Sequence, residues 1–300
     1  MGLPMDEDAI VAEAVSALVH GPGYYVVPNA LNQAQIEELN AIINDHTKDD
    51  DKVSATHFHG SEYNQNKLHL QKRVWNLLNI GAIFSELVQH PIVMKVFAQI
   101  LGKNFILGSF AANKLLPGAP GQEPHVDYPY WDMHEPEEFP MGINSSFHLN
   151  CQSLFTLQDF TLENGATAVV PHSQKRGTYP DAGLFKEECV QVECPAGSLV
   201  LFTGMLWHCA MPNNSRAMRT SLLGQYLPKF VKPMEDLIDS VNPQVIAQGT
   251  PQLRQLIGVD LRYPERLHQS QTGNSEGRCA KPGGDSGAPQ PALSCQESKH

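Results

Sequence analysis

The chain has 300 residues, 41% of them hydrophobic and 18% charged, with a formal net charge of −11. That is ample for one sizeable globular core, and the acidic balance, with no run of Lys or Arg, excludes nucleic acid and anionic membrane as main partners. No apolar run approaches the ~18 residues of a membrane span, and the acidic opening MGLPMDEDAI does not read as a secretion signal.

From Asp8 to His20, residues Ile10, Val11, Ala14, Val15, Leu18 and Val19 form one stripe, which predicts an amphipathic helix. Gly21, Pro22 and Gly23 end it, and Tyr24–Val27 reads as a short strand. Asn32 with Gln35 three residues on predicts a capping box opening a second helix, with Ile36, Leu39, Ile42 and Ile43 facing inward. A further helical stretch is expected from Val74 to about Leu101, broken near Gly81 and at Pro91.

Beyond Gly102 short apolar runs alternate with turn residues: Phe105–Leu107, Phe110–Leu116, Phe147–Leu157, Ala166–Val170, Val190–Val192, Ser198–Phe202 and Thr220–Tyr226. This pattern predicts the strands of a sandwich or jelly roll, and helices followed by strands predict an α+β, mainly β, architecture. Helix is expected again around Met234–Val241 and Gln252–Ile257. The expected organisation is one domain over 1–268: helical support in 5–101, barrel core in 102–228 and C-terminal helices in 229–268. A Gly-, Ser-, Pro- and Gln-rich tail over 269–300 has little to bury. The cysteines (Cys151, Cys189, Cys194, Cys209, Cys279 and Cys295) make no CxxC pair and no disulfide framework, so they read as reduced thiols of a cytoplasmic protein.

His125-Val126-Asp127 places two metal-ligating side chains two residues apart, which on an extended strand puts both on one face. A third ligand must come from a distant strand, and His208, in Thr203-Gly204-Met205-Leu206-Trp207-His208, fits that requirement. Two imidazoles and a carboxylate on one side of an ion are the facial triad of non-haem iron(II) oxygenases, which leaves positions open for co-substrate and O2. In a chain with 13 histidines, HxD alone also arises as a solvated loop pair. Arg219, eleven residues after His208 and at the start of a strand expected to pair near it, adds a guanidinium suited to gripping a dicarboxylate with two parallel hydrogen bonds. Arg216 is the competing candidate. By the two-residue strand period Asn150, Gln152 and Thr156 share a face, which makes Gln152 and Thr156 candidate co-substrate contacts; ordinary polar barrel positions are the alternative.

The chain resembles the phytanoyl-CoA dioxygenase family, which includes ectoine hydroxylase, over about residues 15–227. The resemblance rests on Gly23-Tyr24-Tyr25-Val26-Val27-Pro28, on Leu101-Gly102, and on Pro117-Gly118 leading to His125-Val126-Asp127. It continues through Glu163-Asn164-Gly165-Ala166-Thr167 and Val170-Pro171-His172-Ser173 to His208 with Asn213, Ser215 and Arg219. His172 departs from the family's usual Gly and should alter that turn without touching the metal. The resemblance implies a double-stranded β-helix (a cupin-like jelly-roll barrel buttressed by N-terminal helices) that holds Fe(II) and uses 2-oxoglutarate and O2. It further implies that Arg219 takes the distal carboxylate of 2-oxoglutarate, that Lys114 lies near the co-substrate, and that a small molecule is oxidised with release of succinate and CO2.

With Asp127 occupying the carboxylate position halogenation is disfavoured, leaving hydroxylation, desaturation or ring formation. The long insert Tyr128–His148 is expected to wall the substrate site through Tyr128, Tyr130, Trp131 and Phe139, with packing of the barrel mouth as the alternative. His134 and His148 read as structural, and Trp207 as packing. Because the insert carries Asp132, Glu135, Glu137 and Glu138 and no Lys or Arg, a compact cationic or amphipathic metabolite is expected rather than a CoA thioester. A cupin-like metal lyase or isomerase and a non-catalytic binding protein stay open as other readings of the residues.

Overall fold

In the computed structural model the described residues are 6–48, 67–128 and 147–261. Helix α1 (Glu7–Val19) buries Val11, Ala14 and Leu18, the expected stripe, and strand β1 (Tyr24–Val27) follows. Helix α2 (Gln33–His46) opens with the reciprocal Asn32/Gln35 capping box and buries Ile36, Leu39 and Ile43.

The next segment differs from expectation. Gln71–Val74 is a strand, β2, where the start of a helical stretch is expected, and helix begins only with α3 (Ala82–Leu87) and α4 (Pro91–Leu101). Pro91 stands in the first turn of α4, where its missing N–H costs nothing. The remaining strands are β3 (Ile106–Leu115), β4 (Cys151–Thr156), β5 (Thr167–Val169), β6 (Val190–Gln191), β7 (Leu199–Thr203), β8 (His208–Ala210) and β9 (Arg219–Leu227). Helix α5 (Ala182–Glu188) precedes β6, and α6 (Leu237–Ser240), α7 (Pro243–Gln248) and α8 (Pro251–Ile257) follow β9.

The strands form a six-stranded antiparallel sheet in the order β1-β7-β4-β9-β3-β2 and a three-stranded one in the order β6-β5-β8. Helices α1, α2 and α4 cover one face of the larger sheet, where Leu18, Leu39, Val93, Phe97, Phe155, Leu199, Leu201 and Tyr226 share one core. Alternate residues of the same strands, Leu154, Val200 and Phe202, pack on the other face. Strands buried on both faces carry no apolar/polar alternation to reveal which side a residue takes.

A bulge explains why Phe105–Leu107 and Phe110–Leu116 read as separate strands. The β3/β9 register shifts between Leu107 and Ser109, so Leu107 and Phe110 both face the helical core while Ser109, Ala111 and Asn113 face the opposite side. Gly108 sits at the shift, where a Cβ would lie 2.4 Å from Gln225 Oε1. The tail from 269 and the insert residues Tyr130, Trp131, His134 and Phe139 lie outside the described residues. No helix among the described residues is long and apolar enough to cross a membrane.

Candidate metal centre

His125 and His208 exchange both backbone hydrogen bonds, N to O at 2.9 and 3.0 Å, which sets their side chains next to each other. His208 opens β8 after a tight turn from β7, a strand the sequence pattern does not reveal. That turn is held from two sides. Ser173 Oγ accepts the Trp207 N–H at 2.8 Å, and the Gly204 carbonyl accepts the N–H groups of Asp127 and Tyr128 at 2.8 and 3.2 Å. Gly204 is needed there, since a Cβ would lie 2.6 Å from Asn150. Trp207 is buried, with Nε1 donating to Thr178 O, and packs under Arg176.

The donor atoms of His125, Asp127 and His208 all lie within 4.8 Å of one another. His125 Nε2 stands 3.9 Å from Asp127 Oδ1, and His208 Nε2 stands 3.3 Å from Asp127 Oδ2. Donors ~2.1 Å from one ion lie roughly 3 Å apart at right angles and about 4.2 Å apart at most, so both separations fall within the range open to ligands of a single ion. Each ring is oriented from behind: His125 Nδ1 meets Glu123 O at 2.7 Å and His208 Nδ1 meets Leu206 O at 2.8 Å. A proton on Nδ1 leaves the Nε2 lone pair free for a metal. Burial, aided by neighbouring His208, lowers the pKa of His125 to about 4, which keeps that ring neutral. Burial would lower His208 too, but the Asp127 carboxylate outweighs it and raises the value. Burial alone would raise Asp127, yet His208, His125 and Arg73 hold it below the usual carboxylate range. Two neutral donors and one anionic donor, converging on one point, fit a divalent ion.

A cavity of about 540 Å³ lies in front of these ligands, between the two sheets. Arg219 lines it with a side chain 1% exposed, packed over the Phe160 ring at 4.3 Å. Its strand β9 pairs with β3 and β4, not with the strand of His208 as expected; the two residues meet across the cavity. Among the described residues Arg219 Nε and Nη1 have no hydrogen-bond partner, and burial lowers the guanidinium pKa to about 9. Asn213 and Ser215 shape the loop between them: Asn213 Nδ2 donates to Leu115 O and Ala217 O, and its Oδ1 accepts from Ser215.

Gln152 and Tyr128 line the cavity. Thr156 does not; its hydroxyl donates to Pro195 O at 2.9 Å. Lys114 points to the opposite face of β3, donating to Asn44 Oδ1 and Thr47 Oγ1 at the end of α2. A lysine at a helix C-terminus complements its dipole, so Lys114 serves α2 and not the cavity. His172 has φ +67°, the left-handed region that favours Gly, and takes no place in the cavity lining.

Sequence reasoning passes over Arg73, which β2 presents to the cavity beside Asn113 and Ser221 in one row across three strands. Its Nε lacks a partner among the described residues, its guanidinium lies 5.4 Å from the Trp75 ring, and burial lowers its pKa to about 10 against the pull of Asp127 and Glu235. Its signal was hidden in Gln71-Lys72-Arg73-Val74, a strand of only four residues.

The resemblance drawn from the motifs is borne out by comparison, since the model of the phytanoyl-CoA dioxygenase (PhyH) family matches residues 19–221. The chain belongs to this family. An uncharacterised protein of Mycobacterium tuberculosis is 31% identical over 133 residues, 44% of this chain and 48% of the relative, so the match spans about half of that protein's length. Dioxygenase af480 of Aspergillus fumigatus is 24% identical over 68% of this chain and 66% of its own. Among solved structures, the non-haem α-ketoglutarate-dependent epimerase SnoN of nogalamycin biosynthesis superposes with a TM-score of 0.56 at 17% identity. That match covers 76% of this chain and 87% of SnoN and establishes likeness of fold.

Proposed function

We propose that this PhyH-family chain is an Fe(II)- and 2-oxoglutarate-dependent dioxygenase on a double-stranded β-helix, and that it hydroxylates a small molecule. The observation that carries the reading is the convergence of His125, Asp127 and His208 with Arg219 on one cavity. When bound, ferrous iron with 2-oxoglutarate activates O2, the co-substrate leaving as succinate and CO2 while one oxygen atom becomes available to the substrate.

The chain's part is placement. His125 and His208 present fixed Nε2 lone pairs, and Asp127 supplies the anionic donor. Arg219, which lines the cavity and whose Nε and Nη1 have no partner among the described residues, is the receptor for the distal carboxylate. Charge favours a dianion: Arg73 and Arg219 against Asp127 leave the cavity positive before any metal enters. A divalent ion adds to that excess, so co-substrate and metal should each strengthen the other's binding. Gln152 and Tyr128 face the space left for the substrate. A lyase or isomerase that works without 2-oxoglutarate has no use for this anion receptor.

The test is succinate release by the full chain with ferrous iron, 2-oxoglutarate, O2 and candidate metabolites. Metabolite-stimulated succinate, with a product heavier by one oxygen atom, is the expected outcome. Binding of a metabolite with 2-oxoglutarate left unconsumed would overturn the reading.

A further inference from the structure

After β9 the chain runs as a strap across the cavity, and Val231, Lys232, Pro233 and Met234 form part of its lining. The strap is tied at both ends. A turn closes it at the start, Val231 N donating to Pro228 O at 2.9 Å. At the end Glu235 docks on the β3 bulge: its N–H donates to Gly108 O at 2.9 Å, and its carboxylate accepts from Phe110 N and Asn76 N at 2.8 and 3.3 Å. The residues between are therefore held in place before any ligand arrives, which lowers the entropy lost on binding.

Apolar side chains are exposed on the strap and on Phe147, which precedes β4. Phe230 and Phe147 are 66% and 60% exposed, near-parallel at 12° with ring centroids 6.2 Å apart, and Met234 is also exposed. Met234 lines the cavity, Phe230 directly precedes the lining residue Val231, and Phe147 stacks on Phe230; large apolar side chains gathered beside a cavity mark a binding surface. Lys229 and Lys232 on the same strap have no carboxylate partner among the described residues, whereas Lys95 finds Glu7 and Asp8. Lys232 is exposed and lines the cavity, so its ammonium lies within reach of an anion bound there.

We propose that this strap selects the primary substrate, and that the substrate is a ring-bearing apolar molecule carrying an acidic group. Its rings lie against Phe147, Phe230 and Met234, and its anion meets Lys232. This rests on the cavity being the catalytic one, and it reverses the preference for a cation drawn from the insert's acidic residues, which lie outside the described residues.

Three probes of equal ring size test it: naphthaleneacetate, its neutral amide, and the naphthylmethyl trimethylammonium cation. Each is titrated anaerobically into the full chain, once alone and once with ferrous iron and saturating 2-oxoglutarate. The acid should bind about fivefold more tightly than the amide, the scale of a contact between exposed charges, and the cation most weakly. Lys232→Glu should invert that order. Phe230→Ala should weaken all three by roughly two- to tenfold without changing the order. Equal binding of the three, an order unmoved by Lys232→Glu, or no binding at millimolar probe would overturn the proposal. So would an acid preference that survives Lys232→Glu and disappears in Arg219→Gln, which would place the anion receptor inside. The two readings fail separately. Absence of succinate with every metabolite removes the oxygenase and leaves the binding orders intact, while loss of the orders with succinate preserved removes the strap's role alone.

Discussion

Arg219→Met should leave the ligand-free protein at least as stable as the wild type while abolishing 2-oxoglutarate binding. Arg219 is 1% exposed, its Nε and Nη1 lack partners among the described residues, and burial pulls the guanidinium pKa well down, to about 9. At about 1.4 kcal/mol per pH unit, that depression corresponds to a cost on the order of a few kcal/mol for a cation in an unfilled cavity. Because the folded-state pKa lies below the unfolded one, the folded chain holds this proton less firmly, and the penalty is fully present at neutral pH. It declines only as the pH rises from about 9 towards the unfolded value. Methionine keeps the packing over Phe160 and removes the charge. A bound dicarboxylate offsets the penalty through two charge-assisted hydrogen bonds, each about 1.5–3 kcal/mol. Arg219→Lys keeps the charge but not the parallel pair, so its Kd should rise roughly ten- to a hundredfold with iron affinity little changed. Anaerobic calorimetry of 2-oxoglutarate binding and melts with and without it measure both effects. Unchanged 2-oxoglutarate binding in Arg219→Lys, with the loss appearing instead in the exposed Arg216→Lys, would refute the assignment. A large drop in Tm for ligand-free Arg219→Met would show that the guanidinium is held for structural reasons.

Asp127→Ala should abolish turnover at ordinary iron concentrations, since two neutral imidazoles remain for a divalent ion; full activity with stoichiometric iron would contradict the triad. Lys114→Met should lower Tm by removing the contacts that close α2, yet leave the Kd for 2-oxoglutarate at its wild-type value, as calorimetry would show. Glu235→Ala strands two backbone N–H groups and should cost about 1–3 kcal/mol in chemical denaturation, with Glu235→Gln much milder. Burial raises the Glu235 pKa, so the folded chain holds that proton more firmly than the unfolded one. Its ionisation should therefore make stability fall as pH rises from the ordinary carboxylate value through the raised one, and Glu235→Gln should remove that slope.

Features governed by short-range chemistry were legible in the sequence. The Asn32/Gln35 box, the α1 stripe and the β1 strand each follow from neighbours within a turn or two, and His125, Asp127, His208 and Arg219 carry chemistry that few other roles require. The rest depended on which way a doubly buried strand faces. Lys114 and Asn113 are both buried, and the register after the shift at Gly108, where Gln225 and Leu227 leave no room for a Cβ, turns Asn113 into the cavity and Lys114 away. Arg73 belongs to a strand too short for its period to show. Likewise β8 owes its strand geometry to pairing with β5 and His125, partners far away in the chain.

Anaerobic titration of ferrous iron into the full chain with 2-oxoglutarate, followed by visible absorption, tests the central claim most directly. A metal-to-ligand charge-transfer band should rise, saturate at one equivalent of iron, and be absent without 2-oxoglutarate and in Asp127→Ala. Iron that binds without producing the band, or a band of full strength in Asp127→Ala, would contradict the account.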